Sequence, residues 1–438
     1  MNRSTIEQSK YLEVICVVLM LLVSDGVRSA LNPAIAQTIN ISSYIFVALL
    51  IIISALNGKL RTSLLYAITR DPVLLLLIAL ALLSFCWSGS PSDTWNFGRT
   101  LLRSLVFGAY LAARFSLRGQ MYLMGATLFF TTIASFFASV IPPYVGIRTI
   151  ESETVWLGIY AHKQFLARAM AVAVITFISI AVTAKSGRYR VLWGISALLA
   201  FYILLMSGGR SALVTLVFCL CLFPFYYLLK LDHRVRLAVL LITLFVTAVS
   251  IFFIWINLDT ILTDVLGKDA QFNGRTPLWA SVIERGLERP WFGYGYRGFW
   301  NTPEAFSAVN DAWTFDALQK GAIHAHSIFV EIFLQLGFVG LFIFLLSYGS
   351  VTLRLLYLLF QSPKIENFWM LQTVVASFIL QSTEVPITLS PNIFLWLFYI
   401  SFCFSSVLEI ERFKRWQQKV AASRVWQPPS LIGRKSVS

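Results

Sequence analysis

The sequence predicts an all-α polytopic membrane protein, and three observations carry that reading. Hydrophobic residues make up 58% of the chain and charged residues 13%, whereas soluble domains carry about 25% charged residues. Mean hydropathy is +0.74. The apolar residues come in runs of roughly 20, the length that crosses about 30 Å of hydrocarbon as a helix. Gly, Pro and Ser interrupt these runs without period-two alternation, which argues against a barrel.

About twelve spans follow, at 9–24, 41–57, 72–88, 97–115, 121–141, 162–184, 190–207, 211–229, 236–258, 327–358, 367–383 and 389–408. The tenth is longer than one crossing needs. The first has a signal-peptide alternative, because Ala34-Ile35-Ala36 mimics a cleavage site. Asp25 and Arg28 intervene between the run and that site, so an uncleaved span is expected.

The loops sort by charge. Lys59, Arg61 and Arg70, then Arg114 and Arg118, then Lys185, Arg188 and Arg190, then Lys230, Arg234 and Arg236 occupy alternate loops, and Arg412, Lys414, Arg415 and Lys419 follow the last span. Such a bias sets orientation with the basic loops inside, so both termini are expected in the cytoplasm. The net charge of +14 is thus spread over loops; no basic domain is left to hold nucleic acid. Residues 1–438 read as a single membrane domain, with 259–323 as one large periplasmic loop and 409–438 as a basic cytoplasmic tail. All five cysteines lie in apolar runs, which is neither a disulfide framework nor a metal cage.

The large loop begins with Asp259, Asp264 and Asp269 and carries one amphipathic helix. Thr276 and Pro277 are a start signal. Trp279, Val282, Ile283 and Leu287 share a face, and Pro290 ends the helix. It is expected to lie along the outer membrane surface.

Two arginines on the outer side have the same setting. Arg210 follows Gly208-Gly209 and Arg275 follows Gly274, and each precedes a helix. A guanidinium beside free helical N–H groups makes an anion site, and it binds phosphate oxygens through paired, charge-assisted hydrogen bonds. The two together read as a diphosphate clamp; for Arg210, a charge snorkelling from a helix end is the alternative. His326 opens the tenth span, two residues after His324, with Glu331 and Gln335 following in the apolar run. Polar groups at that depth are costly unless used, and imidazole suits proton abstraction from a hydroxyl. A purely structural histidine, or a metal pair completed by Asp311 or Asp316, are the alternatives.

Arg99, Arg103, Lys163 and Arg168, with His162, lie in the outer halves of their spans. They read either as the wall of an electropositive cavity or as partners of Glu151, Glu153 or Glu331. Gly293-Tyr-Gly295-Tyr-Arg-Gly298 matches a nucleotide fingerprint but follows a helix instead of a strand, so that reading is rejected. The surrounding Trp291, Phe292, Tyr294, Tyr296, Phe299 and Trp300 read as an interfacial belt or as a sugar-stacking surface.

The GGRSA turn at 208–212, the RTPLW and RPWFGYGYRGFW segments and the HAHSIFVEIFLQLGFVGL span resemble the O-antigen ligase and polymerase superfamily. That superfamily includes lipopolysaccharide O-antigen ligases and exopolysaccharide polymerases of the succinoglycan type. The resemblance covers roughly 156–350. It implies a multi-span enzyme of the bacterial inner membrane whose site faces the periplasm. Its reaction would transfer a glycan from undecaprenyl diphosphate to an acceptor sugar hydroxyl, on another glycan or on lipid A core, without metal or nucleotide cofactor. Arg210 and Arg275 match the family's diphosphate-binding arginines, and His326 its general base. Ser327, Glu331 and Gly337 match the pattern that follows that base, and His324, Lys163, Arg168, Arg297 and Glu331 are candidate accessory residues. A chain-length regulator is the candidate protein partner. The other function classes open to this sequence are a lipid-linked saccharide flippase or transporter, and an intramembrane serine hydrolase using Ser211.

Overall fold

The computed structural model of the protein describes residues 3–23, 56–150, 153–228, 275–312, 324–383, 386–391 and 393–425, with a few positions between 38 and 52. The expected span at 236–258, most of that at 41–57, and Asp259, Asp264 and Asp269 lie outside the described residues.

Among the described residues the chain is almost entirely helical. α1 (Arg3–Val23) and α2 (Gly58–Thr69) come first, followed by α3 (Pro72–Leu83), which a 3-10 turn extends to Trp87. The stretch 58–69 was expected as a basic loop. It folds because Leu60, Leu64 and Ala67 recur at helical spacing and face the core. Pro72 then forbids continuation, and the chain bends by 79° into α3. The Asp71 carboxylate caps the new helix by accepting the Leu74 N–H at 3.2 Å.

α4 (Pro91–Arg114), α5 (Leu117–Val140), α6 (Lys163–Thr183), α7 (Gly187–Met206) and α8 (Arg210–Leu228) follow. A short antiparallel hairpin that the sequence reading missed, β1 (Ile147–Ile150) and β2 (Glu153–Trp156), precedes α6. Next come two helices of the large loop, α9 (Arg275–Gly286) and α10 (Pro303–Ala312), and then α11 (Ile328–Gln361), α12 (Ile365–Thr383) and α13 (Phe394–Val425). Six of these (α5, α6, α7, α8, α11 and α13) are long and apolar enough to cross a membrane, and the bent pair α2–α3 makes up to seven. The expected fourth span coincides with α4, which is 24 residues long but carries Asp93, Arg99, Arg103 and Arg114. α13 does not stop at 408; it runs on as one helix to Val425.

In lipid, helices associate through close packing more than through the hydrophobic effect, which favours small residues at contacts. α6 is built that way. Ala167, Ala169, Ala171 and Ala173 are buried along it, and it packs against α5, α7, α8 and α12.

Contacts fix the helix directions. α8 runs against α12: Cys219 meets Gln372, Phe223 packs edge-on against Phe368, and Tyr226 donates to the Pro363 carbonyl. α11 also opposes α12, with Leu358 beside Asn367 and Tyr348 beside Gln381. The turn before α8 presses on Ala167 near the start of α6. Lys163, Arg210 and Ile328, the first residues of α6, α8 and α11, therefore lie at one end of the bundle. Three ionic ties lie away from that end: Arg114 with Glu13, Arg415 with Glu411, and Arg354 with Asp71 at 2.6 Å.

The last pair is the buried one, with Asp71 only 2% exposed. Removing one partner of such a pair leaves a charge uncompensated and costs about 3–5 kcal/mol. Asp71→Asn, which keeps a capping oxygen, is expected to lower the unfolding free energy by that order, seen as a lower thermal midpoint in detergent. Asp71→Asn with Arg354→Met should recover most of the loss. An unchanged midpoint for the single variant would show that the pair does not hold α3 to α11.

Candidate functional site

The candidate site is organised by a break in α11. Gly337 has φ 66° and ψ −165° inside that helix, a combination essentially confined to glycine. In an unbroken helix the Phe338 and Val339 N–H groups would bond to the carbonyls of Leu334 and Gln335. Here they donate instead to the carbonyls of Pro290 and Trp291, at 2.8 and 3.2 Å. The released carbonyls of Leu334 and Gln335 accept the N–H groups of Tyr294 and Gly295, both at 2.9 Å. Two helical hydrogen bonds are thus exchanged for four to the aromatic loop.

The other side of that loop is held equally closely. Trp87 Nε1 donates to the Phe292 carbonyl at 3.1 Å and the Gly89 N–H to that of Tyr294 at 2.8 Å. Ser84 Oγ accepts the Tyr296 N–H at 2.8 Å, and Thr94 Oγ1 donates to the Tyr296 carbonyl at 2.6 Å. The aromatic residues therefore divide. Tyr294, Tyr296 and Phe299 are core residues at 1% exposure or less, while Trp291 and Phe292 are exposed. Neither a belt nor a sugar platform describes the buried three. The glycines of the fingerprint-like segment serve close backbone approach: a Cβ on Gly293 would fall 2.6 Å from the Gln335 carbonyl carbon.

α9 begins at Arg275, two residues ahead of the expected Pro277 start, and ends at Gly286, four before Pro290. Its buried face is Leu278 and Val282, whereas Ile283 and Leu287 are exposed. It packs with α10, the aromatic loop and Leu334 of α11 in a small second core, so its apolar face is spent on protein. Beyond its end, hydrogen bonds from Tyr294 and Arg285 hold the Glu288 carboxyl below the usual carboxylate range.

Trp279 of α9 donates Nε1–H to the Ala325 carbonyl at 2.7 Å, which brings α9 against the two histidines. The Glu331 carboxylate, 3% exposed, grips the same residue by accepting the Ala325 N–H at 2.9 Å. It also accepts Trp300 Nε1–H at 2.8 Å and Gln335 Nε2–H at 2.6 Å. Gln335 Oε1 in turn accepts the Arg297 N–H at 3.0 Å. His326 has φ 52°, and its N–H donates to His324 Nδ1 at 3.2 Å, with the rings 4.1 Å apart. Asp311 and Asp316 lie outside the described side chains; among the described residues no three His, Cys, Asp or Glu side chains gather as metal ligands.

Arg210 is the first residue of α8 and Arg275 the first of α9, as the Gly-Arg junctions imply. A Cβ on Gly209 would fall 2.2 Å from that of Ala167, and Gly208 faces Val155 of β2. Arg210 is therefore seated beside the start of α6, where Lys163 and Arg168 also lie. The Arg168 guanidinium, 8% exposed, stands over the Phe165 ring at 5.1 Å. Burial first, and then the charges of Lys163 and Arg148, hold the His162 imidazole below its ordinary range. Arg99 instead turns to the surface, donating to Asn96 and covering Trp95. Arg297 reaches Ser390 at 3.4 Å and covers Phe97. The expected pairing of these cations with Glu331 is not found; its acceptors are filled by N–H groups. Glu151 and Glu153 lie outside the described side chains.

The structure thus puts Arg210, Arg275 and His326 at the same end of the bundle. A family profile described as O-antigen ligase matches residues 195–345, which contain all three. The exopolysaccharide production protein ExoQ of Rhizobium meliloti (strain 1021) is 24% identical over 246 residues. Over these residues the chain is similar to the O-antigen ligase and polymerase superfamily. The aligned part is 56% of this chain and 51% of ExoQ, so the chain spans about half the length of that curated relative. The superfamily pattern now has a physical reading: Glu331 binds the peptide before His326, and Gly337 makes the break. Sequence reasoning missed Trp279 as a donor and Gln335 as a link. The signals were a span too long for one crossing and two polar residues four apart within it.

Gly337→Ala and Gly293→Ala are expected to displace residues 290–295. A Cβ on Gly337 would fall 2.2 Å from the Trp291 carbonyl carbon, and the backbone strain alone costs about 1–3 kcal/mol. Both variants should unfold at lower temperature and be nicked by protease in the loop. Gly349→Ala on the same helix, where a Cβ meets open space, is the control. Protease resistance equal to wild type in Gly337→Ala would show that the loop does not depend on the break.

Proposed function

We propose that this protein is an inner-membrane glycosyltransferase of the O-antigen ligase and polymerase type, with both termini cytoplasmic and its site open to the periplasm. The observation that carries the reading is that two arginines, each the first residue of a helix, share one end of the bundle with His326. A helix start adds free N–H groups to a guanidinium and favours an anion. The donor is a glycan on undecaprenyl diphosphate, its isoprenoid tail between helices and its diphosphate against Arg210 and Arg275. Lys163, Arg168 and Arg148, the first and last of which add to burial in lowering His162, extend the same positive mouth.

His326 takes the proton of the acceptor hydroxyl as its oxygen attacks the anomeric carbon from the face opposite the diphosphate. The glycosidic bond forms as the bond to the diphosphate oxygen breaks, inverting that carbon. The arginines stabilise the charge that builds on the leaving group. Neither metal nor nucleotide enters the step. The acceptor is a growing glycan or lipid A core; the likeness to an exopolysaccharide production protein favours exopolysaccharide, and a chain-length regulator is then the expected partner. Residues 1–438 form a single membrane domain in this reading, with 259–323 as its large periplasmic loop and 409–438 as a basic cytoplasmic tail.

Ala at Arg210, Arg275 or His326 should abolish product from membranes or purified enzyme while insertion persists, and EDTA should leave wild-type product unchanged. Ser211→Ala should be silent, which separates this reading from a hydrolase. Wild-type product from all three alanine variants would end the proposal. An independent check uses inorganic pyrophosphate. An anion bound at the mouth favours imidazolium, so the His162 resonances should titrate at higher pH with pyrophosphate than without; an unmoved titration would place the anion elsewhere.

The second reading, a transporter of lipid-linked saccharide, is favoured by the break in α11, because transporters bind substrate at discontinuous helices. New glycosidic product formed in detergent, where transport has no meaning, decides against it.

A further inference from the structure

Glu331 does more than fill a hydrophobic span. Its carboxylate is buried and receives three N–H donors from three separate pieces of chain: Ala325, Trp300 and Gln335. Among the described residues it makes no ion pair with lysine, arginine or histidine. An acceptor-only group suits this spot, because an amide there would set its own NH₂ against one of the donors. The Ala325 peptide groups, immediately before His326, are held by Glu331 at N–H and by Trp279 at C=O.

Two residues flanking this arrangement are left-handed without being glycine, His326 at φ 52° and Arg297 at φ 59°. Such conformations persist where the surroundings over-determine them. His326 follows the residue that Glu331 binds, and the Arg297 N–H is bound by Gln335, which Glu331 orients.

We propose that Glu331 is the positioning residue for His326, and that the Glu331–Gln335 pair sets the spacing between that base and the aromatic loop carrying Arg297. This rests on the reading of His326 as the base. Glu331 acts in two ways. It fixes the backbone from which the imidazole projects, and its charge, weakly screened in a buried setting, stabilises the imidazolium formed when the acceptor proton is taken.

The test uses full-length protein in detergent with lipid-linked glycan extracted from the producing cells, and ¹³C-histidine NMR. The chain has four histidines, and His326→Ala assigns the resonance of interest. Glu331→Gln should lower kcat at least ten-fold while the KM for the donor stays within two-fold, because the arginines are untouched. The His326 titration should move to lower pH, as loss of a negative charge disfavours imidazolium. Glu331→Asp should keep the titration near wild type and regain part of kcat. Trp279→Phe should lower kcat several-fold, and the double variant with Glu331→Gln should lose less than the product of the two, since both act on one residue. Glu331→Gln with wild-type kcat and an unmoved titration overturns the proposal. Should that variant fail to fold, Trp279→Phe with wild-type kcat and an unmoved titration overturns it. Full activity in His326→Ala overturns the parent reading instead, so the two failures are distinguishable.

Discussion

A backbone group inside a membrane protein has no water to turn to, and every N–H and C=O must find a partner within the protein. Much of the candidate site follows from how this chain meets that demand at Gly337. Breaking α11 there frees two carbonyls and two N–H groups, and residues 290–295 occupy all four. The large loop is consequently built into the bundle through main-chain bonds, and is not draped over its surface. Its far side is met by Ser84, Trp87, Gly89 and Thr94, so the connection between α3 and α4 becomes part of the same assembly.

The residues of the candidate site hang from this frame. Trp300 and Arg297 belong to the loop, Glu331 and Gln335 to the turns of α11 before the break, and Ala325 to the segment entering α11. Of the four non-glycine residues in left-handed conformation among the described residues, Arg297, His326 and Leu389 lie in this neighbourhood. Leu389 accepts the Tyr296 hydroxyl at 2.6 Å from below. Its buried segment is braced in turn by Thr388 on Gln381 and Gln381 on Tyr348. Strain gathered at one place and held by a surrounding network is what a pre-arranged site requires.

The two ends of the bundle are stabilised differently. Away from the site, opposite charges meet directly: Arg354 with Asp71, Arg114 with Glu13, Arg415 with Glu411. At the site end the Glu331 carboxylate is satisfied by neutral donors. Lys163, Arg168 and Arg210 gather around the starts of α6 and α8, where burial first, and then the Lys163 and Arg148 charges, hold His162 below its ordinary range. The distribution suits an anionic ligand, and Gly209 against Ala167 keeps Arg210 within that field.

The sequence by itself determined the class, because runs of roughly 20 apolar residues have one stable form in lipid. It also determined that Arg210 and Arg275 open helices, since a glycine before a helical run ends the preceding chain locally, and it marked His326 at a span's entrance. It misread 58–69 as a loop, and on α9 it placed Val282 on the buried face but took Ile283 and Leu287 in place of Leu278, because such burial shows only against neighbours. It took Tyr294, Tyr296 and Phe299 for surface aromatics, since composition does not say which rings face inward. Only the tertiary structure decided that Gly337 breaks its helix, that the loop fills the break, and that Trp279, Glu331 and Gln335 converge on the histidine segment. Those are bonds between residues far apart in the chain, and local propensity carries no information about partners that folding alone brings together.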